Sequence, residues 1–296
     1  MQVRANRVRS RIRALTDGAV TGLAILSTVL VIAPLVIIFG YLLYKGASSV
    51  NLDFFTQIPK PEGETGGGMA NAIVGSAIVL AIASAIGVPM GIAGGIYLAE
   101  FGRGTRLATA VRFTADVLNG VPSIVMGVGV YGLIVRTHSV FIPFSGHFSA
   151  FSGGVALGIM MIPTVCRTTE EMLLMVPHAV REAALGLGVP NWRSVLSITV
   201  KTASPGIITG CMLAFARVAG ETAPLIFTAL GNSFWSTSLG RPIEALPLQI
   251  WIYATSPYDD QHRLAWAGAL VLIALIVVAV SLVRYVTSRG VLKGAS

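Results

Sequence analysis

The run GLAILSTVLVIAPLVIIFGYLLY, residues 22–44, decides the fold class, because no charged residue interrupts it. Coiled as an α-helix at about 1.5 Å per residue it reaches roughly 35 Å, enough to cross a hydrocarbon core of about 30 Å. Five further apolar stretches follow at 69–98, 121–135, 152–175, 206–230 and 264–286. The expectation is an all-α polytopic membrane protein with six transmembrane helices.

Composition points the same way. Of 296 residues, 54% are hydrophobic and 11% charged, with a mean hydropathy of +0.78; a soluble domain carries about 25% charged residues and could not cover its surface with fewer than half of them. Disorder, a secreted disulfide scaffold and a nucleic-acid-binding domain are excluded as classes. The first span is too long for the apolar core of a cleavable signal peptide and no A-x-A-like site follows it, so it is expected to stay as an anchor.

The net charge of +8 suggests an anionic partner until the charges are sorted by side. Six spans put both termini on one side. That side collects Arg4, Arg7, Arg9, Arg11 and Arg13 before the first span, Arg103, Arg106 and Arg112 after the second, Arg181, Arg193 and Lys201 after the fourth, and Arg284, Arg289 and Lys293 at the end. The other side holds Lys45, Lys60, Arg136, Arg241 and Arg263. Fourteen against five places the termini in the cytoplasm by the positive-inside rule, and no nucleic acid is needed to explain the basic balance.

Between the spans, Gly66-Gly67-Gly68 closes an exposed outer loop, 45–68, ahead of the second span. Gly87, Gly91 and Gly95, four residues apart, let another helix backbone approach closely. Residues 103–117 read as a short cytoplasmic segment. The loop 176–205 is punctuated by Pro177, Pro190 and Pro205; its run Arg181-Glu182-Ala183-Ala184-Leu185-Gly186-Leu187-Gly188 reads as a short surface helix stopped by Gly188-Val189-Pro190. Residues 191–198, with Trp192, read as a second amphipathic helix at the interface, and the last outer loop, 231–263, as a place for an interfacial segment.

Catalytic signatures are missing. No P-loop, H-E-x-x-H or G-x-S-x-G run occurs, and the four histidines, His138, His147, His178 and His262, are scattered over loops. Cys166 and Cys211 lie within spans as small packing residues. The chain is read as a non-enzyme with no cofactor and no metal.

Charge inside the spans is what remains. Arg217 stands eleven residues into the fifth span, roughly 16 Å deep, with Glu221 one helical turn on; Arg167 stands three residues before Glu170 and four before Glu171 in the fourth span. An ionised side chain near the bilayer centre costs at least about 2.5–3.5 kcal/mol, so each must face protein or water and find a partner. Three readings fit: Arg–Glu pairs that lock helices together, a fixed cation that meets a passing anion, or proton relay through Glu221. Thr222 and Pro224 are placed to loosen the helix there.

The run Glu182-Ala183-Ala184, with Gly188 four residues on and Ile198 after nine more, resembles the EAA motif of binding-protein-dependent ABC importer permeases. The motif ordinarily continues I-x-L-P, where this chain reads Ile198-Thr199-Val200-Lys201. The resemblance narrows to the PstA family, permease subunits of phosphate-specific ABC importers, at GGMANAIVG (67–75), GIAGGIYLAEF (91–101), GVPSIV (120–125), REAALGLG (181–188), ARVAGETAPLIFTAL (216–230) and LPLQIWIYA (246–254).

That resemblance implies a multi-pass subunit of the bacterial plasma membrane, in lipid, with the type I ABC importer permease fold. It divides the chain into a basic tail, first helix and outer loop (1–64), a five-helix core (65–286) with the coupling loop 176–205, and a C-terminal tail (287–296). It implies a PstC-like second permease, two cytoplasmic ATPase subunits and an extracytoplasmic phosphate-binding protein as partners. It implies that Arg181, Glu182, Ala183, Ala184 and Gly188 dock in an ATPase groove, and that Arg217, Glu221, Arg167 and Glu170 line the translocation path. An ion-coupled secondary carrier using Glu221, and a related ABC permease for molybdate or sulfate, are the competing readings.

Overall fold

A computed structural model describes residues 2–61, 63–102, 104–139 and 141–293. Arg103 and the side chains of Arg4, Arg7, Arg9, Arg11, Arg289 and Lys293 lie outside the described residues, so that share of the charge sorting rests on sequence alone. Twelve α-helices are described: α1 Gln2–Gly46, α2 Leu52–Thr56, α3 Ala70–Ile96, α4 Arg106–Gly120, α5 Ser123–Val130, α6 Ala150–Leu174, α7 His178–Gly186, α8 Asn191–Ser194, α9 Val200–Ala219, α10 Ala223–Thr228, α11 Leu246–Ala254 and α12 Asp259–Lys293. Wider π turns continue α3 (Tyr97–Phe101), continue α5 (Tyr131–Val135) and join α8 to α9 (Val195–Thr199).

Five helical segments are long and apolar enough to cross a membrane: Thr16–Ser49, Ala70–Phe101, Ala150–Leu174, Asn191–Ala219 and Asp259–Thr287. Among the described residues one further pair, α4 and then α5 with its π turn, reaches that length and hydropathy only together, bent by 108°, and makes a sixth span when counted as one. The bend falls at Val121-Pro122, where Pro122 cannot continue a helix and restricts the residue before it. Residues 103–117, read only as a short cytoplasmic segment, are mostly helix α4, begun by the Thr105 side chain accepting from the Ala108 N–H.

The bundle is built on α3 and α6, which run parallel with glycines in the seam. A Cβ at Gly87 would stand 2.6 Å from Met161 Cβ, and one at Gly91 2.6 Å from Val165 Cβ; at Gly95 it would meet Thr169 Cβ, and Gly158 faces Ala83 and Ile86. The four-residue glycine spacing thus does what the sequence suggested, letting the two backbones touch. Val79, Ala83, Leu157, Met161 and Val165 fill this seam, and Ala214, Val218 and Leu225 from α9 and α10 close over it. Cys166 is buried in a neighbouring cluster with Leu98 and Ala108, as a packing residue.

α9 runs antiparallel to α6, with Gly206 beside Met172 and Gly210 beside Thr168. The residues expected to form a separate interfacial helix, 191–198, are fused to this span through the π turn, and Pro205 lies inside α9. Pro205 has no N–H for the Lys201 carbonyl, and the Ser204 hydroxyl donates to it instead, at 2.8 Å. Call the end of the bundle that carries α4 and α7 the lower end. At the upper end the 45–68 connection is more than a loop: it holds α2, whose Phe54 is fully buried against Met69 and Leu246. The 231–263 segment folds inward, so that Leu246, Pro247, Leu248 and Gln249 of α11 are buried, not interfacial.

Candidate functional site

The span read as 206–230 is not one helix. α9 stops at Ala219, Gly220 donates back to the Arg217 carbonyl, and α10 begins again at Ala223 with Pro224 in its first turn. Gly220 frees the backbone and Pro224 starts a new helix, the two ends of the usual asymmetry. α5 presses on this restart so closely that a Cβ at Gly127 would stand 2.7 Å from the Pro224 Cα. A broken helix at membrane depth leaves unpaired carbonyls and N–H groups, which is tolerated only inside protein or beside a water-filled path.

Arg217 lies in the last turn of α9, where the negative end of the helix dipole favours a cation. Extending the register of α9 on α6 by seven residues from the Gly210–Thr168 level puts Arg217 opposite 161, halfway along α6. The expected pairing with Glu221 is corrected: the helix ends between them, so they do not share a face, and no ion pair joins Arg217 to any carboxylate among the described residues. Arg217 is exposed on the surface of this chain, while Glu221 is half-buried beyond the break.

Arg167 and Glu170 do meet, at 3.6 Å, but as part of a larger cluster. Arg167 Nη2 donates to both carboxylate oxygens of Asp116, at 2.9 and 3.1 Å, and Arg112 Nε donates to Glu170 Oε1 at 2.7 Å. Arg112 also reaches the Leu98 carbonyl. The cluster holds two cations and two carboxylates, so it is neutral and ties α4 to α6 near the lower end. Glu171 is exposed and outside it. Arg112 was counted only as a topological charge and Asp116 was missed, because their segment was read as a cytoplasmic connection with no helix assigned; the spacing 112, 116, 119, with Asn119 beside Thr164 at 3.4 Å, is the one-face helical signal that could have found them.

α7 is the helix read at 181–188, and it ends as expected at Gly188. Gly188 has φ +77°, and the Val189 N–H returns to the Ala184 carbonyl while Leu187 returns to Ala183 and Gly188 to Leu185, a left-handed glycine cap. Ala184 faces inward. Glu182, Ala183, Leu185, Leu187 and Gly188 face outward, Leu187 being 84% exposed. Arg181 is turned inward, bound to Glu100 at 2.7 Å and to the carbonyls of Leu173 and Val176. It therefore seats α7 on the bundle and is no part of its outward face, contrary to the expectation that it docks with its neighbours.

At the upper end, Glu244 was not singled out in the sequence and is nearly fully buried. Its carboxylate accepts from the N–H groups of Asn232 (3.0 Å) and Ala245 (3.3 Å), but burial wins over these bonds and pushes its pKa up to about 7. Around it the segment is stitched to α3, through Asn71 Nδ2 to the Asn232 carbonyl and the Leu246 N–H to Ser76 Oγ. A carboxyl raised from 4.5 to about 7 on folding holds its proton in the native state after the unfolded chain has lost it. Its contribution to stability, on the order of 3 kcal/mol, is full below 4.5 and lost as pH rises to about 7. Thermal unfolding midpoints of the wild-type protein should therefore fall across that window more steeply than those of Glu244→Gln. Parallel curves for the two would show that folding does not raise the carboxyl's pKa.

A family model described as binding-protein-dependent transport system inner membrane component matches residues 91–290. The chain is 49% identical over 235 residues to the phosphate transport system permease protein PstA of Xylella fastidiosa (strain Temecula1), covering 79% of each chain. It is 46% identical over 245 residues to the protein of that name from Yersinia pestis, covering 83% of this chain and 81% of the other. Among solved structures it superposes on a chain of the inward-facing MetNI methionine ABC transporter with a TM-score of 0.56 at 17% identity, covering 77% of this chain and 97% of that one.

Proposed function

The chain belongs to the family of binding-protein-dependent transport system inner membrane components, among the PstA phosphate permeases, and from that premise we propose how it takes part in ATP-driven phosphate import. It is a non-catalytic, multi-pass permease subunit of the bacterial inner membrane, and ATP hydrolysis and substrate capture fall to ATPase and binding-protein partners. We assign it a PstC-like second permease, two cytoplasmic ATPases below and an extracytoplasmic phosphate-binding protein above. Both termini and α7 face the cytoplasm, which the excess of Lys and Arg at the lower end supports.

The observation that carries the anion reading is Arg217. A guanidinium at mid-depth, unpaired and exposed on this chain, would cost at least about 2.5–3.5 kcal/mol against lipid, so it is covered by something polar. Beside the break in space, where Gly127 meets Pro224, α5 and the π turn after it offer an uncovered strip of Val125 and Val128 with Gly129 and Gly132, whose missing Cβ positions open onto empty space. Such a strip suits close packing of a second permease, with the path between the two chains and Arg217 facing into it. A phosphate anion passing there exchanges part of its hydration for the guanidinium, and the unpaired ends of α9 and α10 add polar groups at the same level. Glu221, half-buried past the break, keeps the local field from holding the anion too long. Arg167 and Glu170 form the lower wall, balanced by Asp116 and Arg112.

ATP binding draws the two ATPases together and moves the grooves that hold the outward face of α7. Hydrolysis and release return the path to its inward-facing form. The reading is tested by purifying the chain from native membranes, identifying the companion chains, and reconstituting chain and complex in liposomes. ATP-dependent phosphate uptake by the complex and none by the chain alone is expected; uptake by the chain alone would make it a self-sufficient carrier, and a complex specific for molybdate or sulfate would overturn the substrate.

A further inference from the structure

Arg181 spends four donor contacts in one place. Nη2 donates to Glu100 Oε1 at 2.7 Å and to the Leu173 carbonyl at 2.6 Å, Nη1 to the Val176 carbonyl at 2.6 Å, and Nε to Glu100 Oε1 at 3.1 Å. The side chains of Arg181 and Glu100 are only 12% and 8% exposed. The Leu173 carbonyl lies in the last turn of α6 and the Val176 carbonyl just past its end, where helix termini leave acceptors unused and a cation is favoured. Lysine, a single point charge, could not span two carbonyls and a carboxylate at once.

Glu100 belongs to neither helix that flanks α7 in sequence. It sits in the π turn Tyr97–Phe101 that ends α3, and among the described residues the Arg181–Glu100 pair is the one polar side-chain link between α7 and α3. Insertions of this kind widen a helix locally and are frequent where function needs a bend. α7 also touches another π turn, Val195–Thr199, which leads into α9. Apolar packing continues the joint, with Ala99 of α3, Leu173 and Val176 at the foot of α6, and Val180 of α7 in one cluster.

α3 leads from this joint through the whole bundle. Its glycine seam makes one body with α6, and its upper end holds the segment around Glu244 through Asn71 and Ser76. Resting on the reading of α7 as the ATPase-docking helix, we infer that Glu100 is a positioning residue that carries the displacement of α7 onto α3 and so to the upper mouth of the path. Without Glu100, α7 stays seated by the Leu173 and Val176 carbonyls but loses its polar link to the end of α3, keeping only the apolar contact through Ala99 and Val180.

The test uses the full complex with Glu100→Gln, Glu100→Asp and Arg181→Lys, reconstituted in liposomes. For Glu100→Gln, assembly, basal ATP turnover and the phosphate KM are expected to stay at wild-type values, while phosphate moved per ATP falls at least fivefold; Glu100→Asp, which keeps the charge, recovers part of that loss. A second readout does not depend on the cargo: a cysteine placed at Ser233, which is exposed in the upper segment, should change its labelling rate on ATP binding in the wild-type background and lose that change with Glu100→Gln. A wild-type ratio and a wild-type labelling response in Glu100→Gln would overturn the inference, as would loss of ATPase assembly, which would make the pair part of docking. Should the wild-type complex move no phosphate, the cargo reading falls, and the labelling response still decides the role of Glu100.

Discussion

Gly188→Asp in the assembled transporter should abolish phosphate uptake while leaving the chain inserted and folded. The argument starts from the local backbone. Gly188 has φ +77° and closes α7 as a left-handed cap. A side chain there costs about 1–2 kcal/mol of backbone strain, with Asp among the residues that tolerate it best. Among the described residues nothing lies within 4 Å of the position a Cβ would occupy. Within the chain the aspartate therefore has room, and α7 keeps its seat through Arg181 and Ala184. A loss of function has to arise where α7 meets another chain. An uncompensated carboxylate pressed into a docked groove costs several kcal/mol, of the order found when one partner of a buried charge pair is truncated, about 2–5 kcal/mol. Co-purification of the ATPase subunits should then fall by at least about thirtyfold, since 1.4 kcal/mol is a factor of ten. Glu182→Lys, on the same outward face, should act in the same direction by reversing a charge instead of adding one. Normal phosphate-stimulated ATP turnover in either variant would remove α7 as the docking helix.

How far the sequence could lead depends on whether a feature is local. The helix-forming Ala, Glu and Leu of 181–188 and the terminating glycine are neighbours in sequence, so α7 and its cap were legible before any coordinates. The glycines at 87, 91 and 95 announced a close contact through their spacing alone; that the partner would be α6, running parallel, was not readable, because spacing says nothing of which helix arrives. Apolar runs were read as six spans, of which the third and fifth failed at their boundaries: α4 is amphipathic and turns its polar side to α6, so an apolar count sees only α5, and the span read from 206 begins at Asn191 and breaks after Ala219. The misreading of α4 hid Asp116 and the pairing of Arg112, and with them the reason Arg167 is not a free cation.

The break at Gly220 shows the opposite limit. Thr222 and Pro224 were read as loosening residues and Gly220 went unremarked, so the i,i+4 rule was still applied across the break to place Arg217 and Glu221 together. The rule holds only while the helix continues. Glu244 carries no sequence signal at all, because its burial is made by Asn71, Ser76 and Gly75, which are far away in the chain.

Arg217→Ala is the second large effect expected, and the corrected geometry sharpens it. Had Arg217 been paired with Glu221, its removal would have left a carboxylate unpaired at mid-depth and risked the fold. In the structure its side chain has no ion-pair partner among the described residues, and its exposed position leaves no cavity in the cores formed by Ala214, Val218 and Leu225. The variant complex should therefore assemble with its partner permease and retain its thermal unfolding midpoint within a degree or two. Transport should not survive as well. A charge-assisted hydrogen bond to an anion contributes about 1.5–3 kcal/mol, so uptake at subsaturating phosphate should fall by about one to two orders of magnitude. Arg217→Lys keeps the charge but loses the planar fork and reach, and should retain an intermediate rate. The outcome that overturns this assignment is equally concrete. If Arg217→Ala no longer co-purifies with the second permease, or if its uptake equals that of the wild type, the guanidinium serves assembly or nothing in transport, and the cation that meets the anion at mid-depth must come from the other permease.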